Sequence, residues 1–365
     1  MMAITGCVAL VAVLMFALPS MADARFEDCH AVEMPIKDHC YRGMPGDFLQ
    51  LKDGSILMSY TDGDIKTVKS TDGGKRWGEP SVLVAAPKPP AKGYSAAPGF
   101  LRLDSGEILL TYTYSTHPAI PYFAHNYYRR SADEGQTWTE QYCYTPQSGY
   151  VLVHNDRLHI LSTGRIIAMA EYKAYLPDTS DHSGYVAMSF FSDDGGHSWQ
   201  ASANTVDMYK DDHVEVQEAD VVELKDGRLL MFARTYSGFP VFAYSDDKGE
   251  TWGPPIARKD IAMPYAGLPT VKRIPSTGDL LFIWISEKSV DKDNPKIHRR
   301  CALTAAVSTD EGETFAHQRH IARDPEDDFG YQCVEFLDDD VALVGYHARD
   351  GLHVARIGVD WFYGK

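Results

Sequence analysis

The 365-residue chain is poor in cysteine, with six, and no two of them have CxxC spacing. That excludes a zinc ribbon and thioredoxin-like redox chemistry. Basic residues are also short: 35 Lys and Arg face 51 Asp and Glu, for a formal net charge of −16. Such a chain lacks the positive field needed for general binding to nucleic acid or an anionic membrane. No Gly-rich phosphate loop, HExxH helix or nucleophile elbow occurs, so no metal or cofactor is expected. Helical periodicity is nearly absent. The apolar run Met1 to Leu18 is short for a membrane span of ~20 residues. At 44% hydrophobic and 24% charged residues, the composition is that of an ordinary folded domain, which excludes disorder as the main state.

Pro19 ends the apolar run, and Ala22-Asp23-Ala24 has the small-x-small form of a signal-peptidase site. Residues 1–24 are therefore read as a secretory signal, although the segment carries no Lys or Arg. Residues 25–365 are the mature domain, expected to be secreted or periplasmic, with no membrane contact beyond the signal. Five Cys remain there, an odd number, so at least one is unpaired or pairs between chains. Cys29 and Cys40 are near enough in sequence to bridge in an oxidising compartment.

What the chain has in abundance is repeats. A strand–turn–strand pattern recurs at Leu51–Leu57, Leu103–Leu109, Leu161–Ile167, Leu224–Leu230, Ile274–Leu281 and Leu337–Leu343. Gly occupies the turn at positions 54, 106, 164, 227 and 278, and Asp340 takes its place in the last copy. Gly in such a turn supplies the positive φ that a hairpin needs. A second pattern, Ser-x-Asp-x-Gly-x-(Thr/Ser/Arg)-(Trp/Phe), occurs at Ser70–Trp77, Ser131–Trp138, Ser192–Trp199, Ser245–Trp252 and Ser308–Phe315. Its Ser and Asp can staple a polar turn while the aromatic packs beneath, a structural role remote from chemistry. Six such units predict an all-β, six-bladed propeller, closed by an outer strand from residues 25–40.

In a propeller the innermost strand of each blade starts at one rim of the central channel, so position can be counted back from each turn. Nine residues back lie Pro45, Ala97, Asn155, Glu218 and Tyr331. Seven back lie Asp47, Gly99, Arg157, Asp220 and Cys333. A strict period of two puts both sets on one face. The next strand returns to that rim with Thr61, Thr113, Glu171, Arg234 and His347, and Asp62 and Asp64 follow in the first blade. Carboxylates, guanidinium groups and a phenol gathered at strand starts are costly unless paired or used.

The five Ser-x-Asp turns resemble the Asp boxes of the sialidase superfamily. The stretch Glu218-Ala-Asp-Val-Val-Glu-Leu-Lys-Asp-Gly-Arg-Leu-Leu-Met-Phe-Ala-Arg234 resembles the segment that carries the nucleophile's Glu partner and one Arg of the carboxylate-binding triad. Tyr331 sits where that family keeps its nucleophilic Tyr, and Arg300 resembles another triad Arg. The resemblance implies a glycosidase acting on an acidic glycan. Tyr331 would be the nucleophile, Glu218 its base, and Asp64 or Asp62 the acid. Arg234 and Arg300, with Arg42 or Arg157, would grip the carboxylate, and Asp47 would lie at the same mouth. Arg42 is out of register, twelve residues before the first turn. The segment His154-Asn-Asp-Arg157 departs from the Gly-rich sequence of classical members and resembles a broad bacterial sialidase-like branch. A uronate lyase would draw instead on His154, His347 and Tyr331. A glycan-binding propeller without turnover is the third reading.

Overall fold

A computed structural model describes residues 26–34, 45–88, 93–116, 123–174, 184–264, 267–292 and 294–365. Arg42, Cys40 and the signal segment lie outside the described residues.

The fold is an all-β, propeller-like arrangement. Four sheets have four antiparallel strands each. The first comprises Pro45–Gln50, Ile56–Asp62, Asp64–Ser70 and Ser81–Val84. Another runs Gln217–Glu223, Leu229–Arg234, Val241–Ser245 and Ile256–Ala257. The next runs Thr270–Arg273, Leu280–Val290, His298–Ser308 and Ala316–Arg323. The last joins Gly330–Leu337, Val341–Ala348 and Gly351–Gly358 to the N-terminal strand Phe26–Glu33. That pairing runs from Phe26↔Ile357 to Glu33↔Gly351 and closes the ring as the repeat count requires.

The remaining sheet has nine strands, where two separate blades were expected. Its two halves, Tyr94 to Cys143 and Leu158 to Ala201, are fused by the short strand Tyr150–Leu152. Tyr150 pairs in parallel with Ala124, and the same strand runs antiparallel to Ile166–Lys173. No repeat pattern announces this bridge, because it comes from a connecting segment rather than from a repeat.

The turns behave as their composition dictates. In the first hairpin Gly54 has φ +81° and its amide donates to Leu51 O at 2.9 Å. Asp340 adopts φ +62° at the equivalent place, a conformation Asp tolerates better than most residues. All five Asp boxes fold alike. The Ser oxygen accepts the box Gly amide at 2.8–2.9 Å. The Asp carboxylate accepts the amide four residues on at 2.8–2.9 Å. The box aromatics pack between or beneath sheets: Phe315 lies 4.7 Å from the Phe282 ring, and Trp252 is buried. The core fills the wedges between neighbouring sheets. Ile167 and Met169 on one side meet Val221, Leu229 and Met231 on the other.

The strict period of two fails at the start of the innermost strands. Four of the inner ladders slip there: between Pro45 and Phe48, Ala96 and Gly99, Gln217 and Asp220, and Gly330 and Cys333. Ala97, Glu218 and Tyr331, nine residues back, take φ of +52°, +48° and +51°. A bulge inserts one residue and re-aims the side chain. The residues nine and seven back therefore do not share a face. Glu218 and Tyr331 turn toward the mouth, whereas Asp47 and Asp220 turn into the wall.

Candidate active site

Glu218 and Tyr331 owe their placement to those bulges, and Arg234 comes from the strand that returns beside Glu218. Glu218 is 3% exposed, and its Oε2 lies 2.8 Å from Arg234 Nε. Burial alone would raise the Glu218 pKa. The Arg234, His154, Arg300 and Arg157 charges overcome it and hold the carboxyl below its ordinary value. Burial works against the Arg234 charge too, and Glu218 together with Tyr236, Tyr331 and Glu171 more than offsets it, so that guanidinium is held above its usual pKa. Arg234 Nη2 donates to Gln217 Oε1 at 2.6 Å. Its Nη1 is buried with no hydrogen-bond acceptor among the described residues. A buried guanidinium N–H left in that state is a ready donor to an anion.

Arg300 is 5% exposed, and its Cζ lies 5.2 Å from the Tyr331 ring centroid. Its own amide donates to Asp328 Oδ1 at 3.0 Å. Gly330 makes room for it: a Cβ there would stand 3.3 Å from Arg300 Nη1, at a backbone φ of +147°. The Tyr331 ring lies between two imidazoles, His154 at 6.2 Å and His347 at 5.6 Å. Asn155 reaches across to donate to Tyr331 O at 3.0 Å, fixing the bulge from the opposite wall. Among the described residues no hydrogen bond joins the Tyr331 phenol to Glu218; the two share Arg234 and Arg300 as neighbouring charges.

His154 is 4% exposed, with Nε2 3.5 Å from Glu218 Oε1 and 3.7 Å from Glu171 Oε1. Neither nitrogen has a hydrogen-bond partner among the described residues. These three groups bring ligand-type atoms within 4.8 Å of one another. Two guanidinium groups already stand at this spot, so a divalent cation would meet like charge rather than a net anionic cage. His154 is better suited to a shared position between the two carboxylates.

The other sequence candidates fall elsewhere. Asp47 Oδ1 accepts the Phe48 amide at 2.8 Å and its Oδ2 accepts the Phe100 amide at 2.9 Å, tying one sheet to the next. Asp220 does the same for Val221 and Val271. Arg157 is wholly buried, donates to Asn155 O, Asp156 O and Pro269 O, and faces Asp220 at 3.5 Å. Asp47 and Arg157 are thus tied into the wall; the slip between Pro45 and Phe48 and the φ of +54° at Asp156 set them apart from the count. Asp64 Oδ1 accepts the Ala86 amide at 2.7 Å, and Asp62 pairs with Lys66 at 2.6 Å. Among the described residues neither makes a hydrogen bond to Tyr331 or Glu218. Gln217 and the anchoring by Asn155 were not foreseen; the only sequence signal was their place at the strand starts.

Toward the turn ends of the inner strands, Asp47, Asp156, Lys272 and Glu335 line a cavity of about 420 Å³. Lys272 is paired with Asp156. Burial, with help from Asp156 and against the pull of Lys272, pushes the Glu335 carboxyl up to about 7. An acid whose pKa is raised on folding holds its proton longer in the folded state, so stability falls as pH rises from about 4.5 to 7. Glu335→Gln is expected to raise stability by about 1–3 kcal/mol at pH 8 and to change it little at pH 5. Urea melts at the two pH values decide it; an equal effect at both would show that Glu335 does not titrate in this window.

The chain resembles known proteins along most of its length. The BNR repeat-like domain model matches residues 59–339. A sialidase from Micromonospora viridifaciens is 25% identical over 351 residues, covering 86% of this chain and 50% of its own length. The chain thus spans about half of that curated relative. Among solved structures, a protein of unknown function from Dyadobacter fermentans superposes with a TM-score of 0.67 at 21% identity, covering 91% of this chain and 98% of its own. The intramolecular trans-sialidase from Ruminococcus gnavus gives 0.64 at 15% identity, covering 88% and 95%. Family model, relatives and superpositions agree with the Asp boxes: the chain belongs to the BNR repeat-like domain family, on the fold of the sialidase superfamily.

Proposed function

We propose that the protein is a secreted exo-glycosidase that removes a terminal sialic acid, or a related 2-keto-3-deoxy sugar acid, from a glycan. We count the nine-stranded sheet as two blades, which makes the propeller six-bladed. The observation that carries the reading is the pair of buried guanidinium groups, Arg234 and Arg300, beside Tyr331 and Glu218, with Arg234 Nη1 still lacking an acceptor among the described residues. Two Arg suit a planar carboxylate that can take bidentate hydrogen bonds. Arg42 is assigned the third position, since Arg157 is engaged in the wall.

The substrate carboxylate sits on the anomeric carbon, where an anionic nucleophile would be repelled. Tyr331 attacks that carbon through Oη as the bond to the leaving oxygen breaks; its proton passes to Glu218 and returns to Oη when water releases the sugar. Asp64 protonates the leaving oxygen, and later takes a proton from the water that releases the sugar. Substrate binding has to draw Tyr331 and Glu218 into proton-transfer reach, a tightening common to such sites. A second reading, a uronate lyase, draws on the two imidazoles that flank Tyr331.

Product analysis separates them. Purified protein incubated with a panel of acidic glycosides is expected to release a reducing sugar acid. An ultraviolet-absorbing unsaturated product would favour the lyase, and binding with neither product would leave a glycan-binding propeller.

A further inference from the structure

Where the N-terminal strand joins the last sheet, His30 and His353 are direct cross-strand partners. Their rings stack at 5.0 Å. Asp350, in the turn that begins the same hairpin strand, brings its Oδ1 to 3.0 Å from His353 Nε2. One ring nitrogen from each His and one Asp350 oxygen lie within 4.8 Å of one another. The opposite His353 nitrogen, Nδ1, lies 3.1 Å from Asp28 Oδ2, and that carboxylate also accepts the Tyr346 hydroxyl at 3.1 Å.

We propose that His30, His353 and Asp350 form a transition-metal site, suited to Zn²⁺, that staples the first strand of the described fold to the last. Two imidazoles and a carboxylate are a donor set for zinc, nickel or copper rather than for calcium or magnesium. Asp28 plays the outer part: a carboxylate on Nδ1–H fixes the tautomer and leaves Nε2 to face the metal. Tyr346 in turn holds Asp28. Gly351 gives the space, because a Cβ there would lie 2.6 Å from His30 Nε2. In a tetrahedral site the ligand atoms stand about 3.3 Å apart, so His30, on an exposed stretch of strand, swings inward. Three protein ligands leave the fourth position to water.

Without metal, both His353 nitrogens face carboxylates. Metal binding must then displace the Nε2 proton: one N–H bond is lost, one metal–nitrogen bond forms, and the proton leaves to buffer. This site does not depend on the glycosidase reading, since none of its residues is assigned a part in that chemistry.

The test is calorimetric titration of the full chain with ZnCl₂ near pH 6.5, in two buffers of different ionisation heat. The wild-type chain is expected to bind zinc at this site with release of about one proton. The His30→Gln/Asp350→Asn double variant is expected to lose affinity by about 10-fold or more, and Asp28→Asn, which keeps all three ligands, by about 10–100-fold. CaCl₂ gives no such binding. Identical zinc isotherms for wild type and double variant, or no zinc binding at millimolar metal, would overturn the proposal. The exposed double variant also serves as the folding control, through its far-ultraviolet spectrum.

Discussion

Tyr331→Phe is expected to lower turnover of a sialic acid glycoside by at least about 10³-fold, while the dissociation constant for the same sugar changes only a few-fold. The substitution removes one oxygen and keeps the ring. The ring's contacts with His154, His347 and Arg300 are made by carbon, so packing at the mouth persists. On the proposed reading, binding relies on Arg234 and Arg300, which the change leaves in place, and chemistry on the lost oxygen. Turnover within ten-fold of wild type would remove Tyr331 as nucleophile. A matched loss of binding and turnover would say instead that the phenol is a substrate contact.

Arg234→Met carries the largest expected effect on stability. Glu218 is 3% exposed and its nearest guanidinium is Arg234, at 2.8 Å. Removing one member of a buried ion pair typically costs about 3–5 kcal/mol, because the other charge is left behind. Here His154 and Arg300 remain near Glu218, which puts the expectation at the lower end. The sign with pH follows. In the wild type the lowered Glu218 pKa adds stability above the unfolded value of ~4.3, and that gain is lost as pH falls through the folded value. In the variant that gain shrinks, so the gap between the two proteins is widest near pH 7 and narrows toward pH 4. Glu218→Gln added to Arg234→Met should recover at least half of the loss. Urea denaturation of the four chains gives the cycle, and a double variant no more stable than Arg234→Met would mean that the loss is one of packing rather than charge.

The scaffold was readable because its signals are local. A Gly turn and a Ser-x-Asp staple each complete their hydrogen bonds within five residues, so the repeats, the Asp boxes and the closing strand could be located by counting. Glu218, Arg234 and Tyr331 were reachable for the same reason, since each holds a fixed offset from a turn. Asp47 and Arg157 were not. Their offsets are regular, but the ladder slips between Pro45 and Phe48 around Asp47, a left-handed φ at Asp156 precedes Arg157, and a φ near +50° at Glu218 or Tyr331 leaves no mark in the composition. The fused sheet was invisible because its parallel contact, Tyr150 with Ala124, joins segments outside the repeats. His154 was found at the mouth, but its neighbours Glu171 and Glu218 come from separate strands, and only three dimensions bring them together.

The order of manufacture leaves one part of the ring waiting. Phe26–Glu33 finds its neighbour only in Gly351–Gly358, 318 residues later, counted from 33 to 351. At about 5–20 residues per second, a ribosome needs roughly 16–64 s to supply that neighbour. Throughout that interval the early segment is a bare ribbon edge, open to mispairing with its own or another nascent chain. Final locking of the circle is therefore a late event, and slow maturation should be sought at that seam.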